Sequence, residues 1–242
     1  MQDNNSFAGR FPITKSMLEH ALLSHLSSSE IPAWFQKYGT PYRELMAYYR
    51  CAIMEVETKF DVLYEEFSLQ YDRNPIESIK TRLKSPQSII EKIYRKNVAL
   101  TIESIEENIE DIAGVRVICA FPSDIYRLAD IFLQQDDITL LQRKDYIQNP
   151  KPSGYRSLHL IVQIPIFLHD QKRLMKVEVQ FRTLSMDCWA SLEHKIRYKK
   201  DLDAAASAAV DSRLQACAEL SAQLDSQMES IMRTVSGKDG TE

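Results

Sequence analysis

The sequence predicts an α+β protein, in which a mixed sheet of about five strands is flanked by helices. Two observations predict it. Five segments are short apolar runs or alternate apolar with polar residues, as strands do. Around them, apolar residues recur at every third or fourth position, as on one face of a helix. At 242 residues, the chain is one large domain or one domain with helical extensions.

The first third of the chain is predicted to be helical. The first ten residues have a disordered composition, and residues 14–26 and 31–38 carry helical patterns that Pro32 and Gly39 interrupt. A long amphipathic helix is predicted from Pro41 to about residue 71. Its apolar residues share one stripe, which is formed by Leu45, Tyr48, Ala52, Val56, Phe60, Leu63 and Phe67.

Strands and helices alternate through the rest of the chain. The predicted strands are residues 78–84, 114–121, 138–146, 157–167 and 174–183. The last two form a hairpin around residues 169–171. The predicted helices are residues 86–96, a short one from Thr101, then 122–134, 184–199 and 204–235.

The last helix has an apolar stripe that suggests packing on a partner, formed by Leu214, Cys217, Leu220, Leu224, Met228, Ile231 and Val235. We therefore predict three regions. Residues 1–40 are a partly disordered extension, 41–200 the main domain, and 201–242 an oligomerisation helix with a disordered tail.

Composition excludes several classes of protein. No apolar run approaches the roughly 20 residues of a membrane span, so we expect no membrane partner, and the first residues do not resemble a signal peptide. The four cysteines are widely spaced without a Cys-x-x-Cys pair, which is typical of a reduced, cytoplasmic protein. A net charge of −4 argues against a general nucleic-acid binder.

The charge is nevertheless unevenly distributed. One segment is basic and contains Lys80, Arg82, Lys84, Lys92, Arg95 and Lys96. An acidic segment follows it directly, with Glu103, Glu106, Glu107, Glu110 and Asp111. A local basic cluster in an acidic protein suits a small polyanion better than a long one.

Two carboxylates stand in apolar runs that predict strands. Asp111 heads Asp-Ile-Ala-Gly-Val-Arg-Val-Ile-Cys, and Glu178 lies within Met-Lys-Val-Glu-Val-Gln-Phe-Arg. Burying a carboxylate is costly unless a metal ion or a cation accompanies it. Alternation places Glu178, Gln180 and Arg182 on one face of their strand, a face that could also simply be in water. If the basic faces of the other strands join it, the surface is suited to metal-dependent phosphate chemistry.

A loop and a helix start add candidate ligands for a nucleotide. Gly154 permits a close turn, and Tyr155 after it could stack on a flat ligand or be an ordinary buried ring. The loop lacks the spacing of a P-loop. Asp187 could accept two hydrogen bonds from guanine or be an ordinary acid of a first helical turn. In the same helix Trp189 and Leu192 are predicted core residues, and His194 a structural one.

Six motifs occur together and in order, and they resemble the synthetase domain of the RelA/SpoT homologues, the GTP pyrophosphokinases. They are Arg82-Leu-Lys-Ser, Ile90-Glu-Lys-Ile-Tyr-Arg-Lys96, Asp111-Ile-Ala-Gly-Val-Arg116, Lys151-Pro-Ser-Gly-Tyr-Arg-Ser-Leu-His159, Val177-Glu-Val-Gln-Phe-Arg-Thr183 and Trp189-Ala-Ser-Leu-Glu-His194. The resemblance covers about residues 41–235. The chain is too short for the hydrolase and regulatory domains of the long forms, so it resembles the small alarmone synthetases, and their RelP type more than their RelQ type.

The resemblance implies a nucleotidyltransferase-like sheet and a reaction. The β,γ-pyrophosphate of ATP is transferred to the 3′-hydroxyl of GTP or GDP, which gives (p)ppGpp and AMP. It implies Mg²⁺ as cofactor and a homotetramer built through terminal helices. Asp111 would hold the metal, while Glu178 would be the general base and share the metal.

The resemblance also implies the nucleotide contacts. Arg82 and Arg116 would sandwich adenine, and Lys84, Lys92 and Arg95 would bind the ATP phosphates. Tyr155 would stack on guanine, and Asp187 would accept its N1 and N2 donors. The remaining acceptor-site residues are Lys144, Lys151 and His159 at the phosphates and Gln180 near the ribose.

Two alternatives stay open at this point. A catalytically silent module on the same scaffold would sense nucleotides or bind RNA, although no feature of the sequence indicates RNA binding. An ordinary nucleotidyltransferase would release pyrophosphate instead of AMP.

Overall fold

The structure is a computed structural model that describes residues 14–70, 73–197 and 204–237. The predicted disorder of the first ten residues lies outside this part of the chain, and so does that of residues 238–242. None of the helices in the described ranges combines the length and the apolar composition that crossing a membrane requires.

The described helices and strands confirm the predicted α+β class. The helices are α1 (Lys15–Leu23), α2 (Glu30–Gln70), α3 (Pro86–Arg95), α4 (Ile102–Asn108), α5 (Pro122–Leu133), α6 (Leu184–Arg197) and α7 (Ala204–Ser236). The strands are β1 (Ile76–Leu83), β2 (Ala113–Cys119), β3 (Thr139–Asp145), β4 (Leu158–Phe167) and β5 (Lys172–Thr183). They form one mixed sheet in the order β1-β2-β5-β4-β3. All five predicted strands are therefore present, with ends that differ by a few residues.

The break predicted before Pro41 is wrong, because α2 runs without interruption through Pro32, Gly39 and Pro41. Pro32 causes no break because it lies in the first turn, where backbone N–H groups have no helical partner. Pro41 is tolerated inside the helix because packing fixes this segment. The rings of Trp34 and Tyr42 lie 6.0 Å apart, and Tyr42 is fully buried. The boundary predicted at residue 40 thus falls within α2, and the division into three regions stays a prediction.

Packing divides the chain into two compact units. Among the described residues, the first comprises 14–58, 81–115 and 161–178. Its fully buried side chains include Tyr49 and Ile53 of α2 and Ile89 of α3. Side-chain caps start its short helices, since the Ser85 hydroxyl accepts from the Ser88 N–H and the Thr101 hydroxyl from the Ser104 N–H. These caps fix the residues at which α3 and α4 begin.

Among the described residues, the second unit comprises 59–70, 73–80, 116–160, 179–197 and 204–237. Its core includes a stack of Phe60 on Phe132, with ring centroids 4.8 Å apart. Helices α6 and α7 pack together, and the Trp189 indole N–H donates to the Leu214 carbonyl at 2.9 Å. Trp189 is buried as predicted, but the prediction of Leu192 as core is wrong, since it is 52% exposed. Helical spacing alone put Leu192 on the buried face, whereas the contact with α7 is made through Trp189.

Candidate active site

Asp111 lies two residues before β2 and is enclosed by two lysines. Its carboxylate oxygens accept from Lys92 Nζ at 2.8 Å and from Lys84 Nζ at 2.9 Å. The backbone explains why Lys84 is adjacent, since its N–H donates to the Ile112 carbonyl at 2.8 Å. Lys92 comes from the last turn of α3. We call Asp111, Lys84 and Lys92 the Asp111 cluster.

The Asp111 cluster holds its acid in the ionised form. Burial raises the pKa of Asp111, but the hydrogen bonds and charges of Lys92 and Lys84 outweigh that effect and lower the pKa to about 2. All three side chains are mostly buried, with exposed fractions of 14–23%. The cluster therefore contains one carboxylate that stays charged near neutral pH and one excess positive charge.

Of the other residues predicted for the ATP side, Arg82 and Arg95 lie in the same unit, whereas Arg116 lies in the second unit and donates to Asp187. Arg82 is exposed on β1, and Arg95 is exposed at the last position of α3. Glu178 is half-buried on β5 between Val177 and Val179, which are fully buried. The predicted alternation of β5 is thus confirmed. Asp111 itself precedes its strand instead of lying in it.

The donor set fits a metal ion that arrives with a nucleotide. In the described ranges, no three His, Cys, Asp or Glu side chains are grouped closely enough to hold a metal by themselves. Mg²⁺ commonly binds through one or two carboxylates together with substrate phosphates and water. An ionised Asp111 suits that mode of binding, with Glu178 as a second carboxylate of the same unit.

In the second unit, Arg182 donates hydrogen bonds to three of the six residues predicted for the acceptor nucleotide. The guanidinium donates from Nη2 to the Tyr155 hydroxyl at 2.6 Å and to Gln180 Oε1 at 3.0 Å. From Nη1 it donates to Asp187 Oδ1 at 3.1 Å. The Tyr155 hydroxyl lies 2.8 Å from His159 Nε2. We call Tyr155, His159, Gln180, Arg182 and Asp187 the Arg182 cluster.

Asp187 is the acid of the Arg182 cluster and lies in the first turn of α6. That helix is capped by Thr183, whose hydroxyl accepts from the Met186 N–H. Besides Arg182, the Asp187 carboxylate accepts from Lys80 at 2.8 Å and from Arg116 at 3.0 Å. Burial raises the pKa of Asp187, but these three cations outweigh it and lower the pKa overall. The carboxylate is thus ionised and positioned by charged donors.

Aromatic rings surround the Tyr155 side of the cluster. Tyr155 and His159 meet edge to face with centroids 5.8 Å apart, and Tyr146 contacts His159 in the same way at 5.2 Å. Lys151 Nζ lies 4.9 Å from the Tyr155 centroid and 4.6 Å from that of Tyr146. The predicted residues Tyr155, His159 and Lys151 are therefore adjacent. Lys144 is half-buried near the end of β3.

Gly154 anchors the loop that carries Tyr155. Its φ of +89° lies in the left-handed region that favours glycine. A Cβ at this position would also lie 2.6 Å from Cβ of Ala218 on α7. Trp189 packs on the same place, so helices α6 and α7 together fix the loop. The sequence prediction of a close turn at Gly154 is confirmed.

Three residues in or next to the Arg182 cluster were missed as site residues. Arg182, Lys80 and Tyr146 all contact predicted residues through their side chains. The alternation of β5 placed Arg182 on the face of Glu178 and Gln180, and that signal could have identified it. Lys80 was assigned to a basic strand face without a partner, and nothing in the local pattern marked Tyr146.

The fold and the two clusters define an α+β protein whose charged sites suit phosphorylated, flat ligands. Residues 81–203 match the family model described as the region found in RelA/SpoT proteins. A GTP pyrophosphokinase of Bacillus subtilis, YwaC, is 48% identical over 155 residues, which cover 64% of this chain and 74% of the relative. A second GTP pyrophosphokinase from the same organism, YjbM, is 35% identical over 165 residues, which cover 68% of this chain and 74% of the relative. This chain belongs to the RelA/SpoT family.

Solved structures agree with this assignment. The crystal structure of small alarmone synthetase 1 from B. subtilis bound to its product pppGpp superposes with a TM-score of 0.74 and 34% identity. The superposition covers 81% of this chain and 99% of the chain in that crystal structure. The crystal structure of small alarmone synthetase 2 from the same organism superposes with a TM-score of 0.71 and 40% identity. That superposition covers 80% of this chain and 98% of the synthetase chain. Within the family, the chain is similar to the small alarmone synthetases.

Proposed function

We propose that this chain is a GTP pyrophosphokinase that transfers the β,γ-pyrophosphate of ATP to the 3′-hydroxyl of GTP or GDP and releases AMP. The observation that supports it most is the Asp111 cluster within a RelA/SpoT chain, because an ionised acid between two lysines suits a metal-bound polyphosphate. Such a transfer depends mainly on positioning the phosphates and stabilising their charge.

On the ATP side, phosphate oxygens would replace Asp111 as partners of Lys84 and Lys92. The exchange leaves the Asp111 carboxylate to coordinate Mg²⁺, with Glu178 as a second ligand. The bound Mg²⁺ would neutralise charge on the phosphates during transfer. Arg95 is exposed and able to reach phosphates in solution, and Arg82 and Arg116 are proposed to flank adenine. Arg82 is also exposed, whereas the Arg116 side chain is 30% exposed and would have to leave Asp187 to contact a base. The guanidinium suits both roles because it is planar and always charged.

Glu178 is proposed as the general base. It would take the proton of the 3′-hydroxyl while the 3′-oxygen forms a bond to the β-phosphorus of ATP. The bond between that phosphorus and the oxygen it shares with the α-phosphate breaks, and AMP leaves with that oxygen. A positioned base contributes about 10²–10⁴-fold to such a rate. The half-buried position of Glu178 between buried valines supports the role, because a rigid strand holds the carboxylate in place.

On the acceptor side, guanine would stack on Tyr155 and donate its N1 and N2 hydrogens to Asp187. The ionised state of Asp187 supports this, since a carboxylate offers only acceptors to these two donors. Lys144, Lys151 and His159 are proposed to line the acceptor phosphates, and Gln180 the ribose. The adjacency of Tyr155, Lys151 and His159 supports a shared ligand.

We also propose that the chain works in the cytoplasm as a homotetramer that forms through α7. Its apolar stripe is largely exposed, with Leu220 at 64% and Leu224 at 53%. A groove of about 750 Å³ runs along the same residues and those of α6. Light scattering after gel filtration tests the assembly, which Leu220→Glu should dissociate if the stripe forms the interface.

Product analysis tests the reaction. Purified protein with ATP, GDP and Mg²⁺ should form AMP and ppGpp in equal amounts. Release of pyrophosphate would indicate an ordinary nucleotidyltransferase instead. Nucleotide binding without any product would indicate the silent sensing module. Either result would overturn the proposed function.

A further inference from the structure

We propose that Arg182 is a positioning residue that determines guanine selectivity, because it holds the Tyr155 ring and the Asp187 carboxylate at a fixed spacing. This inference rests on the proposed function, since it concerns the same acceptor site. Arg182 itself would not contact the nucleotide. It would act through Tyr155, on which the base would stack, and through Asp187, which would bind the edge of the base.

Arg182 is the most enclosed charged group of its cluster. Its side chain is 5% exposed, whereas that of Asp187 is 10% and that of Arg116 is 30% exposed. One end of the guanidinium donates to Asp187, and the other donates to Tyr155 and Gln180. Its Cζ lies 5.1 Å from the Tyr155 ring centroid. A buried charge that spans both residues fixes their separation more firmly than an exposed one.

Only arginine has the geometry for this bridge. Its guanidinium is planar and directs five N–H donors in fixed directions, and two of its nitrogens serve opposite partners here. A lysine at the same position would present one ammonium at a single point. It could stay paired with Asp187 or reach the Tyr155 hydroxyl, but it could not hold both at the observed spacing.

The bridge also leads to the next hydrogen bond. Since a guanidinium only donates, the Tyr155 hydroxyl accepts from Arg182, and the same hydroxyl is hydrogen-bonded to His159 Nε2, 2.8 Å away. Arg182 is thereby linked to Tyr155, the proposed stacking ring, and to Asp187, the proposed ligand of the base edge. Through Tyr155 it is also linked to His159, which is proposed to bind the phosphates.

This arrangement explains how the site would select guanine. A base stacked on Tyr155 presents its edge to Asp187 only if ring and carboxylate keep one spacing. Guanine offers two adjacent donors at that edge, and hypoxanthine lacks the N2 amino group. A rigid site that hydrogen-bonds a donor rejects the analogue without it far better than a loose one does.

The test compares Arg182→Lys with the wild-type protein in steady-state assays of AMP formation. GDP and inosine diphosphate are the acceptors, and ATP is varied separately. Arg73→Lys is the matched control, since Arg73 also bridges a buried acid and an aromatic ring. It donates to Asp124 at 2.6 and 2.9 Å, and its Cζ lies 4.8 Å from the Phe121 ring. Arg73 contacts no residue of the Arg182 cluster through these bonds.

We expect Arg182→Lys to raise the KM for GDP about tenfold or more and to leave the KM for ATP within about twofold. The preference for GDP over inosine diphosphate in kcat/KM should fall by about the same factor. Arg73→Lys should leave this preference unchanged. An unchanged preference in Arg182→Lys, or an equal rise of both KM values, would overturn the inference.

A second variant keeps the test valid if Arg182→Lys fails to fold. Tyr155→Phe keeps the ring and removes only its hydroxyl link to Arg182. It should lower the preference for GDP over inosine diphosphate by a smaller factor, and no change in that preference would also overturn the inference. If the wild-type protein forms no AMP, the proposed function fails. In that case equilibrium binding of the two acceptors to both variants still decides the role of Arg182.

Discussion

Replacing Asp111 by Asn removes the negative charge between Lys84 and Lys92 and keeps the shape of the side chain. The two lysines lower the pKa of Asp111 from its usual 3.8 to about 2. Each pKa unit corresponds to about 1.4 kcal/mol, so the charged carboxylate stabilises the fold by about 2 kcal/mol relative to a neutral one. Partial exposure and salt reduce this figure, and we expect a loss of about 1–2 kcal/mol in Asp111→Asn.

The sign of the pH dependence follows from the lowered pKa. The stabilisation is complete above the pKa of the unfolded chain, near 4, and is lost as the pH falls through the folded pKa of about 2. The wild-type protein should therefore be more stable than Asp111→Asn at pH 7, and the difference should shrink below pH 4. Urea unfolding of both proteins between about pH 7 and pH 3 measures this difference.

Glu110→Gln is the control, because it removes the neighbouring acid on the chain and keeps Asp111. It should retain most of the wild-type stability at pH 7. The electrostatic explanation would be refuted if Asp111→Asn were as stable as the wild-type protein at pH 7. It would also be refuted if the difference stayed constant down to pH 3.

Three further predictions concern the site residues. Glu178→Gln should lower kcat by at least about 10²-fold while equilibrium dialysis still detects both nucleotides, and a near-normal rate would remove Glu178 as the base. Tyr155→Ala should raise the KM for GDP by about 5–150-fold, the equivalent of roughly 1–3 kcal/mol of stacking, and the KM for ATP much less; equal effects would place Tyr155 outside the guanine site. Gly154→Ala should cost about 2–5 kcal/mol in urea unfolding, because it combines a positive φ with the contact to Ala218. Adding Ala218→Gly should restore part of that loss, and additive effects would show that the contact contributes nothing.

The sequence predicted the elements whose signal is local. Alternation of apolar and polar residues identified β1 and β5, and Ser85 before Pro86 identified the start of α3. These patterns succeeded because the two faces of each strand differ in exposure and because α3 has its own side-chain cap. The resemblance to the RelA/SpoT family supplied most of the candidate residues, which local patterns alone did not distinguish from surface charges.

The errors arose where contacts distant along the chain decide the structure. Pro41 does not start α2, because the aromatic packing of Trp34 and Tyr42 continues the helix through it. Leu192 is exposed, because Trp189 occupies the contact with α7. Arg182 was missed as a site residue for a related reason. The alternation of β5 placed it on the face of Gln180, but its contact with Tyr155, 27 positions earlier in the chain, is not visible in a local pattern.

Asp111 and Asp187 are both paired with cations, but a bound ligand would have to displace different ion pairs at each of them. Asp111 is paired with two lysines, and both can exchange the carboxylate for phosphate oxygens without losing a charged partner. Asp187 is paired with three cations, of which Arg182 is buried and Lys80 is 57% exposed on its side chain. Replacing an exposed partner costs little, whereas separating the buried one leaves a desolvated charge. A guanine edge at Asp187 should therefore displace Lys80 first and keep Arg182 in place, so Lys80→Ala should tighten GDP binding while Arg182→Lys weakens it. Weaker GDP binding in Lys80→Ala would contradict this order of exchange.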